Sequence, residues 1–135
     1  MKGTNMFEPI TVYAVSDMTG QTVSRVVRAA SAQFTPGHVR IKVLSHAVSA
    51  EQIVAFIQQS GDGQGTCAVF HTILSKQVRK DLRNALQTLR IPSHDLLGST
   101  AHVMADLLGE QPQGRPGLTI DDGAIPENID LSQTA

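Results

Sequence analysis

Two hydrophobic periods alternate along this chain, and the switches between them mark out successive strand–helix units. Ile10-Thr11-Val12-Tyr13-Ala14-Val15 is β-branched and almost wholly apolar, as suits a strand covered on both faces. Beyond Ser16-Asp17 the period lengthens. Val23, Val26, Val27, Ala30 and Phe34 recur at helical spacing, with Gln21, Arg25, Arg28 and Gln33 on the other side, which predicts a helix that Pro36-Gly37 ends. Val39–Leu44 reads as a second strand with Arg40 and Lys42 alternating outward.

Ser49-Ala50-Glu51-Gln52 matches a capping box. Ser49 would accept from the Gln52 N–H, and the Gln52 side chain would reach back to the N–H of Ser49. Ile53, Phe56 and Ile57 supply the buried stripe of the second helix, and Gly61-Asp62-Gly63-Gln64-Gly65 is a polar surface connector. The third strand starts at Thr66-Cys67-Ala68-Val69-Phe70 and runs toward His71-Thr72-Ile73-Leu74. Ser75 then caps a helix bearing Val78, Leu82, Ala85, Leu86 and Leu89. A short fourth strand is expected within residues 91–98, with Pro92 tolerated near its start or at a sheet edge. Ser99 or Thr100 caps a last helix through Val103, Met104, Leu107 and Leu108, ended by Gly109.

Four strand–helix units with right-handed crossovers give an α/β fold, a three-layer arrangement of a four-stranded, mainly parallel sheet with helices on both faces. Strand order 2-1-3-4 is preferred. Its switch point lies between the first and third strands, where ligands of such sheets bind beyond the carboxyl ends. The loops over residues 16–22 and 71–75 would meet there. Residues 1–110 are expected to form this domain. Residues 111–135 read as an extended tail, punctuated by Pro112, Gly114, Pro116 and Gly117 and made acidic by Asp121, Asp122, Glu127 and Asp130.

Composition narrows the function. The 135 residues carry a formal charge of −1 and only four Phe, one Tyr and no Trp, which argues against nucleic-acid binding through phosphate contacts or base stacking. No apolar run approaches the ~18 residues needed to cross a bilayer, and the N-terminus lacks the apolar core of a signal peptide. The single cysteine, Cys67, can form no intramolecular disulfide, so a reducing, cytoplasmic setting is expected.

Val15-Ser16-Asp17-Met18-Thr19-Gly20-Gln21-Thr22 is the first candidate site, because small and hydroxyl residues at a strand-to-helix junction leave N–H groups to face an anion, aided by the helix dipole. Ser16, Asp17, Thr19, Gly20 and Thr22 are the candidate phosphate- or substrate-binding residues, joined by His71 and Thr72 at the end of the third strand. The junction has neither the two-glycine spacing of a dinucleotide fingerprint nor the Gly-Lys-Ser/Thr of a Walker loop. The structural alternative is that Asp17 or Thr19 caps the helix and Gly20 allows close packing. Asp17 could also accept a proton from a substrate hydroxyl, or bind a metal that phosphates hold. His94-Asp95 is a poor His–carboxylate pair, since adjacent strand residues face opposite ways. Five histidines without ligand spacing predict no metal site. Lys76, Arg79, Lys80 and Arg83 make one helix face basic, either a solvated face or a docking surface for an acidic partner.

The 15–22 motif, followed by Arg25 and Ala29-Ala30, resembles the N-terminal signature of the pyruvate, phosphate dikinase and phosphoenolpyruvate synthase regulatory proteins. That family usually has Ser in place of Met18 and Glu in place of Gln21. His46, Glu51-Gln52-Ile53, Phe70-His71-Thr72-Ile73-Leu74, Ile91-Pro92, Asp95-Leu96-Leu97-Gly98 and Pro116-Gly117-Leu118 follow in register. The resemblance implies a bacterial serine/threonine kinase and phosphorylase acting on another protein. ADP is the donor to a threonine of the dikinase or synthase, and inorganic phosphate removes that phosphate; neither is a resident cofactor. The family's nucleotide loop, a Gly-x-Ser-Arg-Thr-Ser-Lys-Thr-Pro segment, does not occur in these residues, although Asp121-Asp122-Gly123 is similar to an element that precedes it. The expectation is therefore an N-terminal domain of such a regulator that does not run ADP-dependent transfer alone. The alternatives are a non-catalytic phosphate- or phosphoprotein-binding module that docks through the basic helix, and a flavodoxin-like small-molecule binder, for which a lone Tyr13 offers little ring stacking.

Overall fold

A computed structural model describes residues 8–60, 65–115, 118 and 123–133. Its elements are β1 (Ile10–Ser16), α1 (Gln21–Ser31), β2 (Val39–Leu44), α2 (Ala50–Gln59), β3 (Cys67–Thr72), α3 (Lys76–Thr88), β4 (Ser93–Asp95) and α4 (Gly98–Leu108). The sheet runs β2-β1-β3-β4 and all its pairings are parallel. This is the α/β fold and the order that the strand pattern predicts, with the switch point between β1 and β3.

The two-residue period of β1 sorts its side chains onto two cores. Tyr13 and Val15 join Cys67, Val69, Ile73, Leu82 and Leu86 beneath α2 and α3, whereas Val12 and Ala14 pack with Val23 and Val27 of α1 on the other face. Leu82 and Leu86 are fully buried, and each such side chain stabilises the fold by about 1.5–3 kcal/mol. Tyr13 turns its ring edge to Phe56, 6.4 Å between centroids, and its hydroxyl lies 2.9 Å from Ser60 Oγ.

Several local expectations are corrected. Phe34 is 65% exposed rather than part of a buried stripe, because α1 has already ended at Ser31. In the capping box, Ser49 Oγ accepts the Gln52 N–H at 3.1 Å, but Gln52 Oε1 accepts from the Val48 N–H rather than that of Ser49. At α4 the hydroxyls of Ser99 and Thr100 cap nothing and donate back to the carbonyls of Asp95 and Leu96. The first turn is held instead by Asp95 Oδ1, which accepts from the N–H groups of Leu97 and Gly98. α4 buries none of its residues, and Val103, Met104, Leu107 and Leu108 all stand exposed.

Residues 111–115 and 123–130 form neither helix nor strand, and Leu131–Gln133 makes one 3-10 turn. The N-terminal stretch 1–7, the connector at 61–64, and Pro116, Gly117, Asp121 and Asp122 lie outside the described residues. Among the described residues no helix is long and apolar enough to cross a membrane.

Candidate functional site

The ends of β1 and β3 lie side by side, with Ser16 opposite Thr72 and Val15 opposite His71. Ser16 is buried, its Oγ accepting from the Met18 N–H at 2.9 Å and its carbonyl from the Ala47 N–H at 3.0 Å. The Met18 carbonyl accepts from the N–H of His46, whose φ of 56° turns the chain toward it, so the loop after β2 props up the loop after β1. Asp17 Oδ2 accepts from the Leu74 N–H at 2.8 Å, which ties the same loop to the end of β3.

Neither Asp17 nor Thr19 caps α1. The residue that begins the helix is Gly20, at φ 87°, with no side-chain cap. The first intrahelical bond runs from the Ser24 N–H to the Gly20 carbonyl, so the N–H groups of Gln21, Thr22 and Val23 lie upstream of the helical ladder. A Cβ on Gly20 would come within 2.9 Å of Val43 Cγ1. Thr19 and Thr22 are exposed beside this turn. The arrangement presents the positive end of a helix dipole beyond the carboxyl end of β1, beside Val43 and Ser45, with Thr19 and Thr22 exposed near it.

His71 and Thr72 are buried. His71 shares a face of the sheet with Asp95, directly across in register, and its Nδ1 lies 3.9 Å from Asp95 Oδ1. That nitrogen is buried without a hydrogen-bond partner. Burial lowers the His71 pKa; the carboxylate of Asp95 opposes the shift, and Arg79 and His94 add to it. Asp95 is in turn paired with Arg79, Nε to Oδ2 at 3.6 Å, while Arg79 Nη1 donates to the carbonyls of Ile73 and Leu74 at 3.1 and 3.0 Å.

Arg79 therefore leaves the basic face on which its spacing put it, and Lys76, Lys80 and Arg83 remain exposed there. A cavity of about 500 Å³ opens beyond the guanidinium, between Leu74, Lys76, Gly98 and His102. Gly98 fits because Asp95 and Arg79 fill the space that a Cβ would need. Among the described residues no three His, Cys, Asp or Glu side chains gather as a metal-ligand set.

The sequence weighs Asp95 only against His94 and sets Arg79 on the basic face, so the pairing of Asp95 with Arg79 and its place opposite His71 are new from the structure. An aspartate three residues ahead of a glycine at a helix start is a legible capping signal. The register that sets Asp95 opposite His71 needs the length of β4, which the sequence leaves open.

The fold is an open parallel α/β sheet, a class whose ligands are found at the switch point beyond the carboxyl ends of the strands. The comparison of sequences carries this further: the chain matches the kinase/pyrophosphorylase family over residues 12–128 and belongs to that family. It is 34% identical over 107 residues to a pyruvate, phosphate dikinase regulatory protein of Geotalea daltonii, and 32% identical to one of Geobacter metallireducens. In each case 79% of this chain and 39% of the relative are covered. A relative of the same name from Shouchella clausii is 27% identical, over 85% of this chain and 42% of its own length. The chain thus spans about two-fifths of the length of the relatives it matches.

Proposed function

We propose that this domain belongs to a regulator of pyruvate, phosphate dikinase or phosphoenolpyruvate synthase, and that its switch-point crevice holds the phosphate-bearing or hydroxyl-bearing group of the target. The reading rests on one observation: the carboxylate of Asp17 accepts from Leu74, and the first turn of α1 begins at Gly20 with no side-chain hydrogen bond capping it. Backbone donors at such a turn suit a phosphate oxygen, and Thr19 and Thr22 stand beside it. The reactions are phosphoryl transfer from ADP to a target threonine, which releases AMP, and phosphorolysis of that phosphothreonine by inorganic phosphate, which frees the hydroxyl and releases pyrophosphate. In both the threonine side chain of the target must be positioned, as hydroxyl or as phosphate ester, and positioning with charge stabilisation is most of what phosphoryl transfer asks of a protein. Titration of the 135-residue chain with inorganic phosphate and with a phosphothreonine peptide tests this by amide chemical shifts. Movement at Ser16, Thr19, Gly20 and Thr22 is expected, and movement elsewhere with none at these residues refutes it. Incubation with ADP and the dikinase, read as phosphothreonine on the target, tests the activity.

A docking role for α3 has its own support. Lys76, Lys80 and Arg83 are exposed on a helix that starts two residues beyond Leu74, beside the crevice. Reversing these three charges should weaken capture of the dikinase, most of all at low salt. Unchanged capture removes this role.

A further inference from the structure

We propose that Arg79 is a positioning residue of the crevice, one guanidinium that sets Asp17 through Leu74 and sets His71 through Asp95. The inference rests on the phosphate-binding reading above and adds to it the residue that fixes the shape of the site. Three acceptors converge on this side chain: the carbonyls of Ile73 and Leu74 on Nη1, and Asp95 Oδ2 near Nε. Leu74 is held at both ends of its backbone, its carbonyl by Arg79 and its N–H by Asp17. The loop after β1 is therefore braced against a peptide that is itself fixed from α3.

On the other side, Asp95 is clamped by the Leu97 and Gly98 N–H groups as well as by Arg79, which fixes the carboxylate that faces the buried Nδ1 of His71. A planar fork can serve acceptors lying in different directions, which a lysine ammonium on a single stem cannot match. A Cβ at Gly98 would collide with the Asp95 carboxylate and come against Arg79 Nε, so the glycine is what lets this pair lie against the start of α4. The alternative, an ordinary ion pair that only anchors α3, leaves the double hold on Leu74 without consequence for the loop after β1.

The two are separated by Arg79→Lys and Arg79→Gln in the full chain, with hydrogen exchange at single amides and inorganic phosphate titration on the folded protein. Loss of the charge-assisted bonds to the Ile73 and Leu74 carbonyls should speed exchange of the Leu74 amide and weaken phosphate binding, each by about tenfold in Arg79→Gln, while core amides such as Val69 change only with global stability. Arg79→Lys, which keeps the charge, should lose most of the same protection. Leu74 exchange that follows only the global change in both variants overturns the proposal. If Arg79→Gln fails to fold, Arg79→Lys alone decides. If the wild-type chain does not bind phosphate, the functional reading fails separately, and the Leu74 amide still shows whether Arg79 sets the loop.

Discussion

The carboxylate of Asp17 and the backbone N–H of Leu74 meet at 2.8 Å across the point where the strand order reverses. The bond joins two loops that are 57 residues apart in sequence, and it turns a residue placed to cap α1 into a brace between β1 and β3. Because the brace uses the side chain as an acceptor, the start of α1 is left to Gly20 without a side-chain cap.

The role as a brace separates two substitutions at one position. Asp17→Ala leaves the half-buried Leu74 N–H without its acceptor and should cost about 1–2 kcal/mol in urea unfolding, with weaker phosphate binding. Asp17→Asn keeps an acceptor and removes a negative charge beside the anion, so phosphate should bind at least as tightly as to the wild type. Equal weakening in both variants would show that the charge, not the brace, matters.

Gly20→Ala tests the helix start itself. A side chain at φ 87° carries a backbone penalty of about 1–2 kcal/mol, and the added Cβ meets Val43 Cγ1 as well. Val43→Ala in the same chain should relieve the steric part and leave the backbone part. Denaturation of the four proteins of the cycle should therefore give a coupling of about 0.5–1 kcal/mol, and additivity would place the whole cost in the backbone.

The sheet order was legible because each strand is a compact apolar run and each crossover holds one amphipathic helix, which leaves few arrangements. Ser75 and Gly109 were legible as helix ends for the same local reason. What stayed hidden was chosen by tertiary geometry. Asp17 had an acceptor to offer either to its own helix or to Leu74, and only the packed sheet brings Leu74 within reach. Arg79 matched its basic neighbours in spacing, yet the carbonyls at the end of β3 and the carboxylate of Asp95 draw it inward. The order of the strands was thus legible, and the bonds that join the loops at their ends were not.

Burial separates two leucines that spacing treats alike. Leu82 is fully buried beneath the sheet, whereas Leu107 is 83% exposed on α4. Leu82→Ala should cost about 2–5 kcal/mol, lost transfer energy plus the cavity left behind. Leu107→Ala should stay within about 0.5 kcal/mol of the wild type. A large loss at Leu107, measured across a range of protein concentrations, would show that something covers α4 in solution.

His71 gives stability a pH dependence whose sign is fixed by its surroundings. Burial lowers its pKa in the folded state, with Asp95 acting against the shift and Arg79 and His94 with it. In the unfolded chain the imidazole takes up its proton near the ordinary value of about 6.5. Below that pH the unfolded state holds more protons than the folded one, so stability is full above about 6.5, falls as the pH drops, and levels off once the folded imidazole is also protonated. Urea unfolding at about pH 7.5 and about pH 5.5 should show this fall, and His71→Gln, which cannot titrate, should reduce it. The same fall in His71→Gln would assign it to other groups. Asp95→Asn removes the one contribution that supports the charged imidazole, so it should lower the folded pKa further and deepen the fall rather than relieve it.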